Sequence, residues 1–397
     1  MSFYLLCKVL FSRKVVTTLL LLQLAMALAL LLNSILLAQQ TQQQLTQPTG
    51  LDLEHTLQVQ LKPATASLRV YPALQDLLDR QLQAVQAIPG VIAAAYANQS
   101  VLVQGGNGGN LYDIEQEERT NVPYVPLYFV SKDFFTVLNV NVLQGELPHY
   151  TTPFGDTAQP EVILTQSIAE QLFAGQPAVG REVNLGRVAA VISDFYGQRR
   201  SDNVMFNSLQ VTPPYSVDWG YSILLRTEPA QTAAVRQQLA NVLRAVEPNI
   251  ELFHISNLAE QHQRVYSNEY GLAMLLAILT ALMLLVTMIS SYSSTHFHAL
   301  KRQQEIGIKR ALGATKITIA LELLAENWLC TALGALFGLG LALFLNQALA
   351  QVISIPPLNW WLPLLTSAIL LLCVTLATWY PASIATRVSP ASATKAL

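Results

Sequence analysis

The sequence predicts an α-helical membrane protein with four transmembrane helices and one large exported α+β domain. Three observations carry that prediction. Of the 397 residues, 52% are hydrophobic and only 12% charged, about half the charged share of a soluble domain. Asp, Glu, Lys and Arg are absent between Lys14 and Asp52, between Glu269 and Lys301, and between Glu326 and Arg387. The charges also divide by region. Residues 38–270 hold 13 Lys/Arg and 22 Asp/Glu, whereas the remainder holds 10 and 3, so an acidic block adjoins a basic, apolar one. A plain soluble enzyme, a disordered chain, a collagen and a small disulfide scaffold are excluded.

A bilayer core takes about 20 apolar residues per helix. The first two uncharged stretches give spans at 15–38 and 271–294. The third gives two spans, 321–350 and 360–380, separated by Ile355-Pro356-Pro357-Leu358-Asn359. An uncleaved anchor is expected at 15–38, because its apolar run exceeds a signal-peptide core and Leu36-Leu37-Ala38 lacks a small residue before the final alanine. Lys8, Arg13 and Lys14 flank the first span. Lys301, Arg302, Lys309, Arg310 and Lys316 fill the second connection, 295–320, and Arg387 and Lys395 follow the last span. All fall on one side, which the positive-inside bias makes cytoplasmic. The segments 1–14 and 381–397 are then inside and 39–270 is outside. Trp360 and Trp361 anchor the outer interface. Cys7, Cys330 and Cys373 lie at or in the spans, where packing is their expected role.

The exported block, roughly 230 residues, is large enough to be stable on an apolar core alone. Thr56–Lys62 alternates as a strand, with Leu57, Val59 and Leu61 on one face. Leu74, Leu77, Leu78, Leu82, Val85 and Ile88 follow at helical spacing, and Val91–Tyr96 is a second strand. Far downstream, Tyr221–Arg226, Pro229–Val246 and Ile250–Ile255 repeat the strand–helix–strand order. Two such units, at 53–104 and 216–260, can pair into one α+β layer with 105–215 as an inserted subdomain. Within the insert, Glu161–Thr165 and an Arg181–Leu185/Arg187–Ile192 hairpin are expected strands, and Ser167–Phe173 a helix.

Catalytic chemistry finds no foothold. Gln104-Gly-Gly-Asn-Gly-Gly-Asn110 lacks the Lys-Ser/Thr of a phosphate loop and is expected to be a flexible surface loop. Asp113, Glu115, Glu117 and Glu118 are expected to be a solvated acidic face, and Arg199-Arg200 a solvated basic pair. His55, His149, His254, His262, His296 and His298 show no zinc-ligand spacing. No metal, cofactor, catalytic residue or nucleic-acid partner is expected.

The most informative stretch is Lys301-Arg-Gln-Gln-Glu305-Ile-Gly307-Ile-Lys-Arg310-Ala-Leu-Gly313-Ala-Thr315-Lys316. As a helix it places Arg302, Glu305 and Lys309 on one face, with Glu305 to Lys309 in the favourable i,i+4 order. Ile308, Ala311 and Leu312 form another face, suited to an apolar groove. Gly313 fits a helix stop. Downstream, Glu322 and Glu326 sit four apart, placed either to hold this loop or to flank the interface. Gly334-x-x-x-Gly338-x-x-x-Ala342 is a small-residue stripe for close helix packing, expected within the subunit.

The 301–316 stretch resembles the Arg-Glu-Ile-Gly-Ile-Arg-Arg-Ala-Leu-Gly-Ala motif of FtsX-like/MacB-type ABC transporter permeases, the mechanotransmission family. Phe134-Phe135-Thr-Val-Leu138, Leu143-Gln-Gly145-Glu, Val162–Phe173, Val179-Gly180-Arg-Glu-Val183 and Tyr380–Pro390 are similar to other segments of that family. The order of one span, an exported domain and three spans agrees. The resemblance implies porter-like strand–helix–strand units outside and an FtsX-like permease domain over 271–397. It implies two permease subunits, homo- or heterodimeric, in the bacterial inner membrane, and a dimeric ABC ATPase, holding ATP and Mg, as a separate subunit. The ATPase would dock on Arg302, Glu305, Ile306, Gly307, Ile308, Lys309, Arg310, Leu312 and Gly313. A periplasmic adaptor and an outer-membrane channel are further implied partners. Export of a peptide, antibiotic or similar amphiphile is the expected function. The alternatives are signal transmission to periplasmic cell-wall hydrolases and lipoprotein extraction. The exported domain's size favours export.

Overall fold

The computed structural model describes residues 14–149, 160–200, 203–350 and 359–386. Cys7, Lys8, Arg13, Arg387 and Lys395, and the 355–358 part of the expected break, lie outside the described residues. Two compact units form: residues 47–266, and the helical remainder.

In chain order, α1 (Lys14–Thr46) leads into β1 (Thr56–Pro63), α2 (Ala73–Gln86) and β2 (Val91–Ala97). Then follow β3 (Gly108–Leu111), β4 (Val122–Phe129), α3 (Phe134–Leu138), β5 (Val142–Gly145), β6 (Glu161–Thr165) and α4 (Gln166–Phe173). The hairpin β7 (Glu182–Val183)/β8 (Gly186–Ile192) and β9 (Ser208–Gln210) complete the insert. β10 (Tyr221–Thr227), α5 (Thr232–Val246), β11 (Ile250–Asn257) and α6 (Leu258–Val265) return to the first layer. Four helices close the chain: α7 (Ser267–Lys301), α8 (Gln303–Ala311), α9 (Lys316–Ala350) and α10 (Trp361–Ala385).

The first layer is a four-stranded sheet in the order β11-β1-β10-β2. Each neighbouring pair is antiparallel, so the two strand–helix–strand units interleave. Leu57, Val59 and Leu61 of β1 pack with Leu74 and Leu78 of α2 and with Val235, Leu239 and Leu243 of α5. Each such fully buried side chain contributes about 1.5–3 kcal/mol over exposure. Gln81, buried under the sheet, accepts a hydrogen bond from the Tyr221 hydroxyl at 2.6 Å, which pairs that hydroxyl and the Gln81 Oε1.

The insert forms a seven-stranded mixed sheet, with β4–β9 and β6–β8 parallel. Asp194 holds the start of α4 from outside it, accepting from the Ser167 amide at 2.9 Å. Gly145 has φ +75°, and a Cβ there would meet the Ala189 carbonyl, so the end of β5 at the family-like Leu143-Gln-Gly145 segment requires glycine. The Gly-rich segment departs from its expectation. Gly108–Leu111 is strand β3, registered on β4, and Gly108, without a side chain, lets the backbone approach Tyr124 and Val125.

The four long helices are each apolar enough to cross a membrane. They outrun the spans marked by sequence. α1 continues through the glutamines to Thr46, since Gln is a good helix former and the backbone ladder does not stop at the hydrophobic boundary. α7 begins at Ser267 and ends at Lys301. The small-residue stripe of α9 lies against α1. A Cβ on Gly334 would stand 2.6 Å from Leu24 Cβ, and one on Gly338 would stand 2.9 Å from both the Ala25 carbonyl oxygen and Leu28 Cβ. Ala342 is buried with Ala29 and Leu32, and its carbonyl accepts from Asn33 Nδ2 at 3.3 Å. Close approach lets dispersion hold helices that lipid would not drive together.

Candidate functional site

The loop between α7 and α9 folds into the short helix α8, and its two faces differ sharply. Ile306 and Gly307 turn inward. Ile306 packs with Ala299 of α7, Ile319 and Leu323 of α9, and Ala382 and Ala385 of α10. On the outer side Ile308, Leu312 and Ile317 are 59%, 84% and 72% exposed. Three large aliphatic side chains are thus exposed within ten residues, Ile308 and Leu312 at α8 and Ile317 in the first turn of α9.

The end of α8 is a Schellman stop. Gly313 N–H donates to the Arg310 carbonyl at 3.1 Å and Ala314 N–H to the Lys309 carbonyl at 3.0 Å. Gly313 has φ +98° with open space where a Cβ would be, so conformation and not room demands glycine. Thr315 then caps α9, its hydroxyl oxygen accepting from the Thr318 amide at 3.2 Å.

Charges fix the helix from the other side. Arg302 Nη1 donates to Glu326 Oε1 at 2.5 Å. Lys309 Nζ reaches both oxygens of Glu322, at 2.7 and 2.9 Å. Arg310 Nη1 donates to the Thr386 carbonyl at 2.9 Å, tying α8 to the end of α10. Glu322 and Glu326, one turn apart on α9, therefore hold the loop. The expected Glu305–Lys309 pair is corrected. Lys309 goes to Glu322, and Glu305 instead stands 3.7 Å from Arg302 Nε. Glu305 is two-thirds exposed while Glu322 is mostly enclosed, and an ion pair gains more where less water screens it. Sequence reasoning missed Thr386, because a backbone acceptor leaves no trace in residue type.

In the exported domain two surface readings gain detail, Arg200 being exposed as expected and Arg199 partly covered. Arg199 lies over the Tyr266 ring at 4.8 Å and Arg200 over Tyr124 at 4.6 Å, so both stack on aromatic faces. Asp113 is buried, accepts from the Glu115 amide at 3.0 Å and lies 3.6 Å from Arg181, which separates it from its acidic neighbours. Among the described residues, no group of three or more His, Cys, Asp or Glu side chains is placed to hold a metal ion.

Comparison with known proteins agrees with this division. The FtsX-like permease C-terminal family matches residues 277–390, and the MacB-like periplasmic core domain family matches residues 17–242. A probable export ATP-binding/permease protein MacB of Pseudomonas entomophila is 24% identical over 227 residues, 55% of this chain and 34% of its own length. The macrolide export ATP-binding/permease protein MacB of Escherichia coli is 23% identical over 320 residues, 76% of this chain and 47% of its own. An uncharacterized ABC transporter permease, YvrN of Bacillus subtilis, is 22% identical over 253 residues, 60% of this chain and 61% of its own. The chain thus spans about a third to three-fifths of these curated relatives. The solved periplasmic region of MacB from Actinobacillus actinomycetemcomitans covers 57% of the chain at 17% identity with a TM-score of 0.36, matched over 98% of that region. With a MacB-like core domain, an FtsX-like permease region and four spans in that order, the chain belongs to the FtsX-like/MacB-type family of ABC transporter permeases.

Proposed function

We propose that this chain is the permease subunit of an exporter. It couples ATP hydrolysis in a separate, dimeric ABC ATPase to movement of its periplasmic domain, and the cargo is a peptide, antibiotic or similar amphiphile. The observation that carries the coupling role is the two-sided construction of α8. Ile308 and Leu312 project from a short helix whose other side is anchored by Ile306 and by the Arg302–Glu326 and Lys309–Glu322 pairs. A docked ATPase would cover the aliphatic ridge. A push on it would pass through rigid ion pairs into α9 and through Arg310 into α10, rather than dissipate in a loose loop. Export is supported by the relatives whose names specify macrolide export, and by the size of the exported domain.

In this reading the basic loop faces the cytoplasm, two permease subunits pair in the inner membrane, and a periplasmic adaptor and outer-membrane channel continue the path. The test is capture of the partner ATPase by matched amounts of wild-type chain and of the Ile308→Ala/Leu312→Ala double variant. Capture should fall by about tenfold or more, as for loss of a buried hot spot, with membrane insertion unchanged. Undiminished capture and transport would remove α8 from the coupling path.

A further inference from the structure

The exported domain carries an open cleft of about 750 Å³ beside the 216–222 segment, within the roughly 300–1,000 Å³ range of small-ligand sites. We propose that this cleft binds a neutral, hydroxyl-rich carbohydrate chain, with Trp219 as its stacking platform. The inference does not rest on the export reading.

The lining chemistry selects the ligand. Gln60, Asn107, Ser216 and Asp218 supply amides, a hydroxyl and one carboxylate, and no Lys, Arg or His lines the cleft. An anionic ligand would meet the Asp218 carboxylate and no basic side chain in the lining itself. An aliphatic ligand would find only a divided wall, because Val217 and Tyr221 are buried and the partly exposed Val103 stands among glycines and amides. What remains is a hydrogen-bonding surface with one carboxylate beside an indole.

Trp219 is 92% exposed, the most exposed large hydrophobic side chain among the described residues. The turn beneath it is fixed. Gly220 N–H donates to the Val217 carbonyl at 2.9 Å, and Gly220 has φ +96° where a Cβ would lie 2.5 Å from the Leu61 carbonyl oxygen. The indole is therefore presented by rigid backbone instead of hanging from a loose loop. Its flat face suits the axial C–H face of a pyranose, and its N–H suits a ring hydroxyl. The opposite wall is also set in advance. Asn98 accepts from the Phe129 amide at 3.0 Å and donates to the Leu127 carbonyl at 3.2 Å, and Gln99 Nε2 donates to the Leu127 and Asn107 carbonyls, each at 3.0 Å. Gln60 and Asp218 stand exposed at the surface, Asp218 accepting from the Ser216 hydroxyl at 3.0 Å. A wall ordered before binding loses little entropy when the ligand arrives.

The experiment uses the full chain in lipid nanodiscs, free of glycoside detergents. Trp219 is the only tryptophan between residues 47 and 266; Trp328, Trp360, Trp361 and Trp379 belong to the helical region. Titration with chitotetraose and, separately, with maltotetraose should give a saturable blue shift of the exposed indole's emission for at least one sugar. By calorimetry Trp219→Ala should weaken binding by about tenfold or more, Gln60→Ala by a few-fold, and Trp219→Tyr should retain most of it. Trp219→Ala changes an exposed side chain, so folding and ATPase capture should be unaffected. Co-sedimentation with purified sacculi would assign the glycan to the cell wall, and binding of tetraose alone would assign a soluble saccharide. No saturation by either sugar at millimolar concentration, or unchanged binding by Trp219→Ala, would overturn the proposal. So would loss of a periplasmic protein partner in Trp219→Ala without any sugar binding, which would make the indole a protein contact.

Discussion

Helix α5 of the exported domain and helix α7 of the membrane bundle turn opposite kinds of residue inward. On α5 the buried residues are Val235, Leu239 and Leu243, with arginine and glutamine outside. On α7 the buried residues include Ala273, Thr280, Thr287, Ser291, Thr295 and Ala299, while Leu275, Ile278, Leu282, Leu285 and Ile289 face outward. Water drives the first arrangement through apolar burial. Lipid removes that driving force, and small or hydroxylated residues win the interior because they let backbones approach. The hydroxyls are not left unpaired. Thr280, Thr287 and Thr295 donate to the carbonyls of Leu276, Met283 and Ser291 at 2.7, 2.7 and 2.8 Å. Thr287 and Thr295 also accept from Gln23 at 3.3 Å and Asn327 at 3.0 Å, linking α7 to α1 and α9.

The largest expected effect tests that contrast directly. Leu239→Ala should destabilise the exported domain by about 2–5 kcal/mol, the cost of a cavity in a packed core. Leu282→Ala, the same deletion on an outward face of α7, should leave bundle stability nearly unchanged. Pulse proteolysis of the full chain reads the first, and thermal denaturation in nanodiscs the second. Equal losses would mean that α7 buries its leucines after all.

Next in size is the close approach itself. Gly338→Val should cost about 1–3 kcal/mol by overpacking, since its Cβ position is already occupied by Leu28 and the Ala25 carbonyl. Gly340→Val, two residues away with open space around its Cβ, is the control. The measurement is the thermal midpoint of each variant in nanodiscs. Equal shifts would place the helix contact elsewhere.

These two regions were also unequally legible in sequence. The strands of the exported domain showed their faces by alternation, and Leu57, Val59 and Leu61 are all buried. The spans showed their existence by missing charge but not their inward faces, because α7 carries no charged face; the Thr280, Thr287, Ser291, Thr295 stripe was the available signal. Helix ends in sequence were set by hydropathy, which does not report the backbone ladder of Gln39–Thr46. The Gly313 stop was readable because only one local conformation fits it. The partners of Arg302 and Lys309 were not, since Glu326 and Glu322 lie 24 and 13 residues away and a local competitor, Glu305, offered a plausible pair.

A smaller effect concerns pH in the exported domain. His262 is buried against the Tyr196 and Tyr266 rings, at 5.8 and 5.5 Å, and burial lowers its pKa from the ordinary value. The folded state therefore binds a proton less readily than the unfolded chain. Stability is full above the unfolded value of about 6.5 and is lost as pH falls from there through the folded pKa. His262→Phe should flatten that acid-side loss, read as the proteolysis midpoint between pH 7.5 and 5. An unchanged slope would assign the loss to other groups.

The smallest effect separates a local pair from a tertiary one. A helix-based reading couples Glu305 to Lys309 by about 0.2–0.5 kcal/mol. In the folded chain Lys309 Nζ is bonded to both oxygens of Glu322, 13 residues away, and Glu305 leans toward Arg302. A double-mutant cycle of Lys309→Ala with Glu322→Ala should give a coupling energy near 1 kcal/mol, the upper end for partly exposed ion pairs. The cycle of Lys309→Ala with Glu305→Ala should give essentially none. Raising the salt concentration should shrink the first coupling, because Lys309 is about half exposed. Hydrogen exchange of the α8 amides supplies the readout, since the pair holds that helix rather than the whole chain. Exchange should quicken in Glu322→Ala and stay unchanged in Glu305→Ala. The reverse pattern would return α8 to an independent surface helix, with no fixed route for force into α9.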